Sequence, residues 1–206
     1  MTTADVLRGD LALITTLVPL GSRVLDLGCG DGALMAHLRD ERGCTVRGLE
    51  LSHQGIASCL DQGLPVVEMD LDDGLAVYPD DSFDVVVLSQ TIQVMKRPDL
   101  VLTEMARVGR VGIVSFPNFG HWRVRGYLAF KGRMPVSKTI PFQWFDTPNI
   151  HHATIRDFRE FAESLGLVVE REVPLKTTSF GRVDRVSMWP NLMADTALLV
   201  VRRKGA

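Results

Sequence analysis

Residues 24–34 read VLDLGCGDGAL: an apolar run ends at Leu27, glycines stand at 28, 30 and 32, and a helical pattern follows. A strand, a glycine loop and a helix in that order let a ligand approach the backbone closely at the carboxyl edge of a parallel sheet. The loop alone fits nucleotide ligands of several kinds. Its spacing is G-x-G-x-G rather than the G-x-G-x-x-G of the dinucleotide fingerprint, and Asp26 and Asp31 bracket the glycines. Carboxylates on both sides oppose a pyrophosphate cradled by backbone N–H groups, whereas a cationic ligand gains from them.

S-adenosylmethionine carries a sulfonium, an ammonium and an adenosine but no phosphate, and it suits such a loop. Glu50, 22 residues beyond Gly28, stands where a strand-end carboxylate accepts both hydroxyls of a ribose. Asp70 ends the next strand, where it could receive the adenine amino group, with Leu71 beside the ring. Taken singly, these features read as a tight connection, a solvated strand end and a turn cap. Together they put three acids at three successive strand ends on one edge of a sheet.

The elements that would position them follow from hydrophobic periodicity and stop signals. Leu7, Leu11, Ile14 and Val18 mark a first helix stopped by Pro19 and Gly21. Arg23 to Leu27 reads as a strand, Ala33 to Arg42 as a helix closed by Gly43, and Thr45 to Leu51 as a strand. Ser52 can cap a helix through Leu60, closed by Gly63. Pro65 to Asp70 and Phe83 to Leu88 are further strands, and Pro98 to Val108 is a helix leading to strand Val111 to Phe116. This alternation means a mostly parallel sheet with right-handed crossovers. It breaks for about thirty residues until Thr154 opens a helix ended by Gly166. Strands Leu167 to Val173 and Thr196 to Arg202 close the pattern, with a long connection over 174–195.

At 206 residues, with 46% hydrophobic and 23% charged, the chain can bury a full core without disulfides or structural metal. Cys29, Cys44 and Cys59 are odd in number and in no metal-binding spacing, which fits a reducing cytoplasm. A formal charge of -2 argues against wholesale binding to nucleic acid or an anionic membrane. The longest near-apolar stretch, Leu11 to Leu20, is far short of a membrane span, and the N-terminus has no basic-then-apolar leader. Of the five histidines, His37 and His53 read as surface residues, and the adjacent His151 and His152 as a lead-in to the Thr154 cap rather than a metal pair. No G-x-S-x-G elbow occurs, so the chain is not itself an acyltransferase of the α/β-hydrolase kind. The fourth strand ends in Ser89-Gln90-Thr91-Ile92, without the Asn-Pro-Pro-aromatic cluster of amino-group methyltransferases, and no catalytic residue stands out.

Between Pro117 and Phe145 there is no acid, while Arg123, Arg125, Lys131, Arg133 and Lys138 are basic. From Phe116 to Phe145 lie eight of the fourteen aromatics, too many for a disordered loop. Such a segment is either a lid whose rings fill the core above the sheet edge or a docking surface, since interfaces favour Trp, Tyr and Arg.

The glycine loop, Glu50, Asp70, the SFDVVVLSQ strand and the closing helix with two strands resemble the class I S-adenosylmethionine-dependent methyltransferase fold. The resemblance implies an α/β, three-layer, Rossmann-like domain over 1–206 with a mostly parallel seven-stranded sheet and an antiparallel last strand. It places S-adenosylmethionine or S-adenosylhomocysteine on Asp26, Gly28, Cys29, Gly30, Gly32, Glu50, Leu51, Asp70, Leu71 and Ser89. The usual Leu-Lys-Pro-Gly-Gly turn is reduced to Val108-Gly109-Arg110, a shortening expected to reshape the substrate side. The stretch FPNFGHWRVRGYLAFKGRMPVSKTIPFQWFDTPNIHHATIRDF, with LDLGCGDG and LSQTIQVMKRPD, closely resembles the MetW family of methionine biosynthesis proteins. That family implies a protein acting with a homoserine O-acyltransferase, here docked through the 117–150 insertion at Trp122, Arg123, Arg125, Tyr127, Arg133 and Trp144. The alternative is an active methyltransferase with an unknown small-molecule or protein acceptor.

Overall fold

A computed structural model describes residues 8–137, 139–178 and 183–205; Leu7 and Lys138, invoked above, lie outside the described residues. The elements run α1 (Gly9–Leu17), β1 (Arg23–Leu27), α2 (Ala33–Arg42), β2 (Thr45–Glu50), α3 (His53–Asp61), β3 (Val66–Glu68), β4 (Phe83–Ser89), α4 (Pro98–Val108) and β5 (Gly109–Pro117). They continue with α5 (Trp122–Lys131), α6 (Ile155–Ser164), β6 (Leu167–Thr177), β7 (Val183–Arg185), α7 (Pro190–Met193) and β8 (Thr196–Arg203). The strands form one sheet in the order β3-β2-β1-β4-β5-β8-β6-β7. Pairings among the first five strands are parallel, whereas β8 is antiparallel to both its neighbours and β7 to β6. The fold class is the one expected, and the sheet gains an eighth strand, the three-residue edge β7, inside the long connection expected over 174–195.

Alternating strand residues feed two cores. Leu25, Leu27, Val86, Leu88, Val114 and Phe116 pack under α4 and α6. Val24, Val46, Val85, Val87 and Ile113 pack under α1, α2 and α3. The three layers follow from strands buried on both faces, which is why β4 reads as nearly continuous valine. Chain order runs outward from β1 to β3 and then returns to β4 beside β1. The carboxyl ends of β1 and β4 therefore flank a topological switch point, where open sheets hold ligands.

Two local expectations gain their atoms here. Thr154 accepts from the Asp157 N–H at 3.3 Å while Asp157 accepts from the Thr154 N–H at 2.9 Å, a complete capping box for α6. Helix α4 runs directly into β5 at Gly109, where a Cβ would meet Val86 Cγ2 at 2.4 Å. This junction starts β5 and so lies at the sheet edge opposite the switch point. The shortened turn therefore leaves the substrate side untouched, contrary to the expectation above.

Candidate functional site

The three loop glycines have three different causes. A Cβ on Gly28 would meet the Thr91 side chain at 2.8 Å, and one on Gly32 would meet Leu64 Cδ1 at 2.6 Å and Cys59 Sγ at 2.9 Å. Those two glycines let β4 and α3 close on the loop. All three have positive φ, and Gly30, at +57°, differs in that its Cβ would meet nothing within 4 Å, while its N–H donates to Glu50. Its open side faces no protein atom within that distance, and what holds it in place is the carboxylate that accepts from its N–H. Cys29 contributes backbone only, for its thiol is buried, 3.8 Å from Cys59 Sγ. Burial pushes the pKa of both thiols up and keeps them neutral.

Glu50 ends β2 and holds the loop itself. Its Oε2 accepts from the Gly30 N–H at 2.8 Å, and its Oε1 accepts from Leu51 and Ser52 N–H at 2.9 and 2.8 Å. A carboxylate has about four acceptor sites, so one direction stays open for a ribose hydroxyl. A second hydroxyl must displace one of the three amides. Asp70 caps the turn that follows it, accepting from the Asp72 N–H at 3.0 Å, and it also lines the cleft.

That cleft has a volume of about 370 Å³ and brings together Gly28, Glu50, Leu51, Asp70 and Leu71 from the expected set. Its opposite wall is Thr91, Val94, Met95 and Lys96, with Met69 and Asp72 at the edge, none of them singled out by sequence reading. Asp72 joins the two walls, accepting from the Lys96 and Arg97 N–H groups at 3.1 and 2.7 Å. No local spacing announces it, because the contact spans 24 and 25 residues. Asp26, Cys29, Gly30, Gly32 and Ser89 do not line the cleft, although the Gly30 N–H is held by Glu50, which does; Asp26 and Ser89 lie at the ends of β1 and β4 on either side of the switch point. Among the described residues no group of three His, Cys, Asp or Glu is placed to hold a metal ion, and no helix is long and apolar enough to cross a membrane.

Asp26 is buried at the end of β1. Burial, reinforced by the negative charges of Glu50 and Asp31 and opposed by Arg8, pushes its pKa up to about 7. An unfolded Asp ionises at roughly 3.9, so between about pH 4 and 7 the folded chain binds the extra proton. Stability is therefore lost as pH rises through that range and is level above it. Thermal unfolding across the range should show the parent losing ground to Asp26→Asn as pH rises. A constant difference between the two proteins would mean that Asp26 titrates like an exposed carboxyl.

The aromatic segment divides sharply. Phe116 is buried and lies 4.9 Å from Phe158, and Phe119 stacks on His152 at 4.6 Å. Trp122, Tyr127, Phe130, Phe142, Trp144 and Phe145 are exposed, from 40% to 89%. Core filling thus occupies one of the eight rings, Phe119 is half-buried, and six face solvent. Helix α5 escaped sequence reading because Val124 is its only buried residue, so no apolar period appears. Arg123 lies over the Trp122 ring at 5.3 Å, Arg133 is exposed, and Arg125 Nε donates to the Gly120 carbonyl at 2.6 Å, bracing the start of α5. Met188 and Trp189, about 70% exposed, add apolar surface that sequence reading missed, and Trp189 sits at φ +48°. Asn118 fastens their turn to the α5 approach by donating to the Asn191 and Ala194 carbonyls at 3.1 and 2.7 Å.

Residues 8–201 match the family model described as methionine biosynthesis protein MetW. The chain belongs to the MetW family. This MetW-family chain is 35% identical over 207 residues to the bifunctional methionine biosynthesis protein MetXA/MetW of Rhodopirellula baltica, an alignment covering 96% of the chain and 33% of that relative. It is 30% identical over 168 residues to the fatty-acid O-methyltransferase of Mycolicibacterium smegmatis, covering 75% of the chain and 56% of the relative. The MetW-family chain thus spans from a third to just over half the length of these curated relatives. A solved SAM-dependent methyltransferase from Archaeoglobus fulgidus superposes with a TM-score of 0.72 at 14% identity, covering 97% of the chain and 94% of its own, a likeness of fold.

Proposed function

We propose that this chain is an S-adenosylmethionine-binding subunit of methionine biosynthesis that associates with homoserine O-acyltransferase and supports its activity. The observation that carries this reading is the bifunctional relative named for both MetXA and MetW, of which this chain matches only 33%. We read the MetXA part as the acyltransferase, so that one chain there unites what two chains do here. The cofactor half of the reading draws on the cleft beside Gly28, the tethered Glu50 carboxylate and the acidic loop. Those residues fit a cationic nucleoside: Glu50 and Asp70 face its polar edges, Leu71 and Met95 give apolar wall, and Asp26 and Asp31 favour its positive charges. When bound, S-adenosylmethionine supplies an activated methyl group or, in a regulatory role, a readout of the pathway's downstream product.

The partner half draws on the six exposed rings and the acid-free charge of residues 117–145. Trp122→Ala should speed dissociation from the acyltransferase and cost at least about 2 kcal/mol, as a buried anchor does. Reversing Arg123 and Arg133 to Glu should instead slow association and reduce its salt dependence. Arg125 is unsuited to the test, because its reversal also removes the brace on Gly120. Association is measured by surface plasmon resonance after folding and cofactor binding have been checked. Well-folded variants that bind and activate like the parent would remove this segment from the interface.

A second reading, an active methyltransferase, is favoured by a separate cavity of about 400 Å³ at the carboxyl ends of β4 and β5, lined in part by Gln90, Gln93, Pro117, Phe142 and Asn149. It shares Val94 with the cofactor cleft and so adjoins it. Homoserine acylation with and without this protein, across cofactor concentrations, tests the first reading. Transfer of a labelled methyl group to an acceptor, with no effect on acylation, would replace it by the second.

A further inference from the structure

Helix α5 begins with its positive end uncompensated. No side chain caps it, its first turn holds no acid, and Arg123 and Arg125 add positive charge there. A helix start of that kind favours an anion, because its first N–H groups have no partner within the helix. This one forms a wall of a cavity of about 400 Å³, lined by His121, the residue before the helix, and by Arg123 and Val124 in its first turn. A second observation points the same way. His121 is 7% exposed, its ring lines the cavity, and its Nε2 has no hydrogen-bond partner among the described residues. A buried nitrogen left without a partner costs free energy that a ligand can recover. Burial lowers the His121 pKa against the pull of Asp195, with Arg123 and Lys176 on the side of burial. The neutral ring keeps one donor and one acceptor.

A different element supplies one carboxylate to the same cavity. Asp195, the residue before β8, is half-buried and accepts from the Thr177 N–H at 2.9 Å and the Thr177 hydroxyl at 3.2 Å. A carboxylate has about four acceptor sites, so these contacts leave some of them open among the described residues. Thr177 ends β6 and lines the cavity too, and Tyr127, Ser137 and Thr139 add hydroxyls. An anion alone would gain at the start of α5 and lose at Asp195, and a cation alone would do the reverse. A ligand that carries both charges gains at each. The cavity shares Thr139 and Thr177 with the one at the carboxyl ends of β4 and β5, but no residue with the cofactor cleft.

We propose that this cavity binds a free α-amino acid, its carboxylate held by the start of α5, Arg123 and His121 and its ammonium by Asp195. The site is separate from the cofactor cleft, so the inference does not depend on the cofactor reading. Hydroxyls and the apolar walls of Val124 and Val136 accept a polar or an apolar side chain, so the charged end carries the recognition.

Three probes with one side chain separate the two charges. L-Methionine carries both, L-methioninol the ammonium alone and 4-methylthiobutanoate the carboxylate alone, while L-homoserine keeps both and exchanges the thioether for a hydroxyl. Titration of the full chain, by calorimetry or by ligand-detected NMR for weak binders, should show both amino acids binding with Kd below about 1 mM. Each single-charge probe should bind roughly tenfold more weakly than L-methionine, the loss of one charge-assisted contact. Arg123→Gln should weaken L-methionine by about fivefold or more and leave L-methioninol within about twofold. Asp195→Asn should weaken L-methionine likewise and leave 4-methylthiobutanoate within about twofold, or tighter. Arg123 is exposed, so its variant should melt with the parent and carries the test if Asp195→Asn, which loosens Thr177, does not fold. L-Methionine affinity unchanged in Arg123→Gln would place the amino acid elsewhere on the chain and overturn the assignment. A parent that binds neither amino acid, or binds a single-charge probe as tightly as L-methionine, would overturn it too.

Discussion

Glu50→Ala should bind S-adenosylmethionine on the order of a hundredfold more weakly than the parent, the largest loss expected from removing a polar group. Charge-assisted hydrogen bonds to a ligand are each worth roughly 1.5 to 3 kcal/mol, and a hundredfold corresponds to about 2.7 kcal/mol. Water recovers part of the direct loss, but the carboxylate also holds three backbone N–H groups, so the variant releases the loop as well. Glu50→Gln should be nearly as damaging. Its one carbonyl oxygen can keep the two donors Leu51 and Ser52, which turns the amide nitrogen toward the Gly30 N–H and sets donor against donor. Titration calorimetry decides the matter. A Glu50→Ala affinity within a few-fold of the parent would take Glu50 out of the site.

Gly30→Val should lose binding beyond detection while the chain stays folded. At φ +57° a β-branched residue is strained by roughly 1 to 2 kcal/mol, which a chain of this size registers as a few degrees in melting temperature. Its Cβ has room, since no atom beyond the chain neighbours lies within 4 Å of the position it would take. The loss is expected because the side chain would enter the space proposed for the cofactor or force the loop, and with it the N–H held by Glu50, from its conformation. Folding by circular dichroism together with absent binding is the expected pair of results. Gly28→Ala supplies the contrast, because its Cβ would strike Thr91 at 2.8 Å and disturb the junction with β4 instead. A Gly30→Val protein that binds cofactor normally would mean that the ligand side of the loop has been misassigned.

Much of this protein was legible in the residues alone. Strands buried on both faces declare themselves as apolar runs, and glycine and proline mark where they stop, so α2, α4 and the parallel strands fall within a residue or two of their expected ends. The loop glycines and the acids at positions 26, 50 and 70 were equally plain, since each stands at or beside a strand end that the sequence marks. Helix α5, strand β7 and the turn at α7 left no such trace, because they bury almost nothing and so carry no period.

Local pattern sets which backbone a segment prefers and which residues stand at its end, since both depend on neighbours within a turn or a strand. Which of those residues meet is decided by the crossovers. Only the folded sheet brings Glu50 to the Gly30 amide, Asp72 to the Lys96 amide and Arg8 to Ser89, contacts spanning 20, 24 and 81 residues. The same holds for the aromatic segment. Its composition allowed a lid or a docking surface, and only packing shows which rings are covered: Phe116 is buried, Phe119 is half-buried against His152, and the other six rings are exposed.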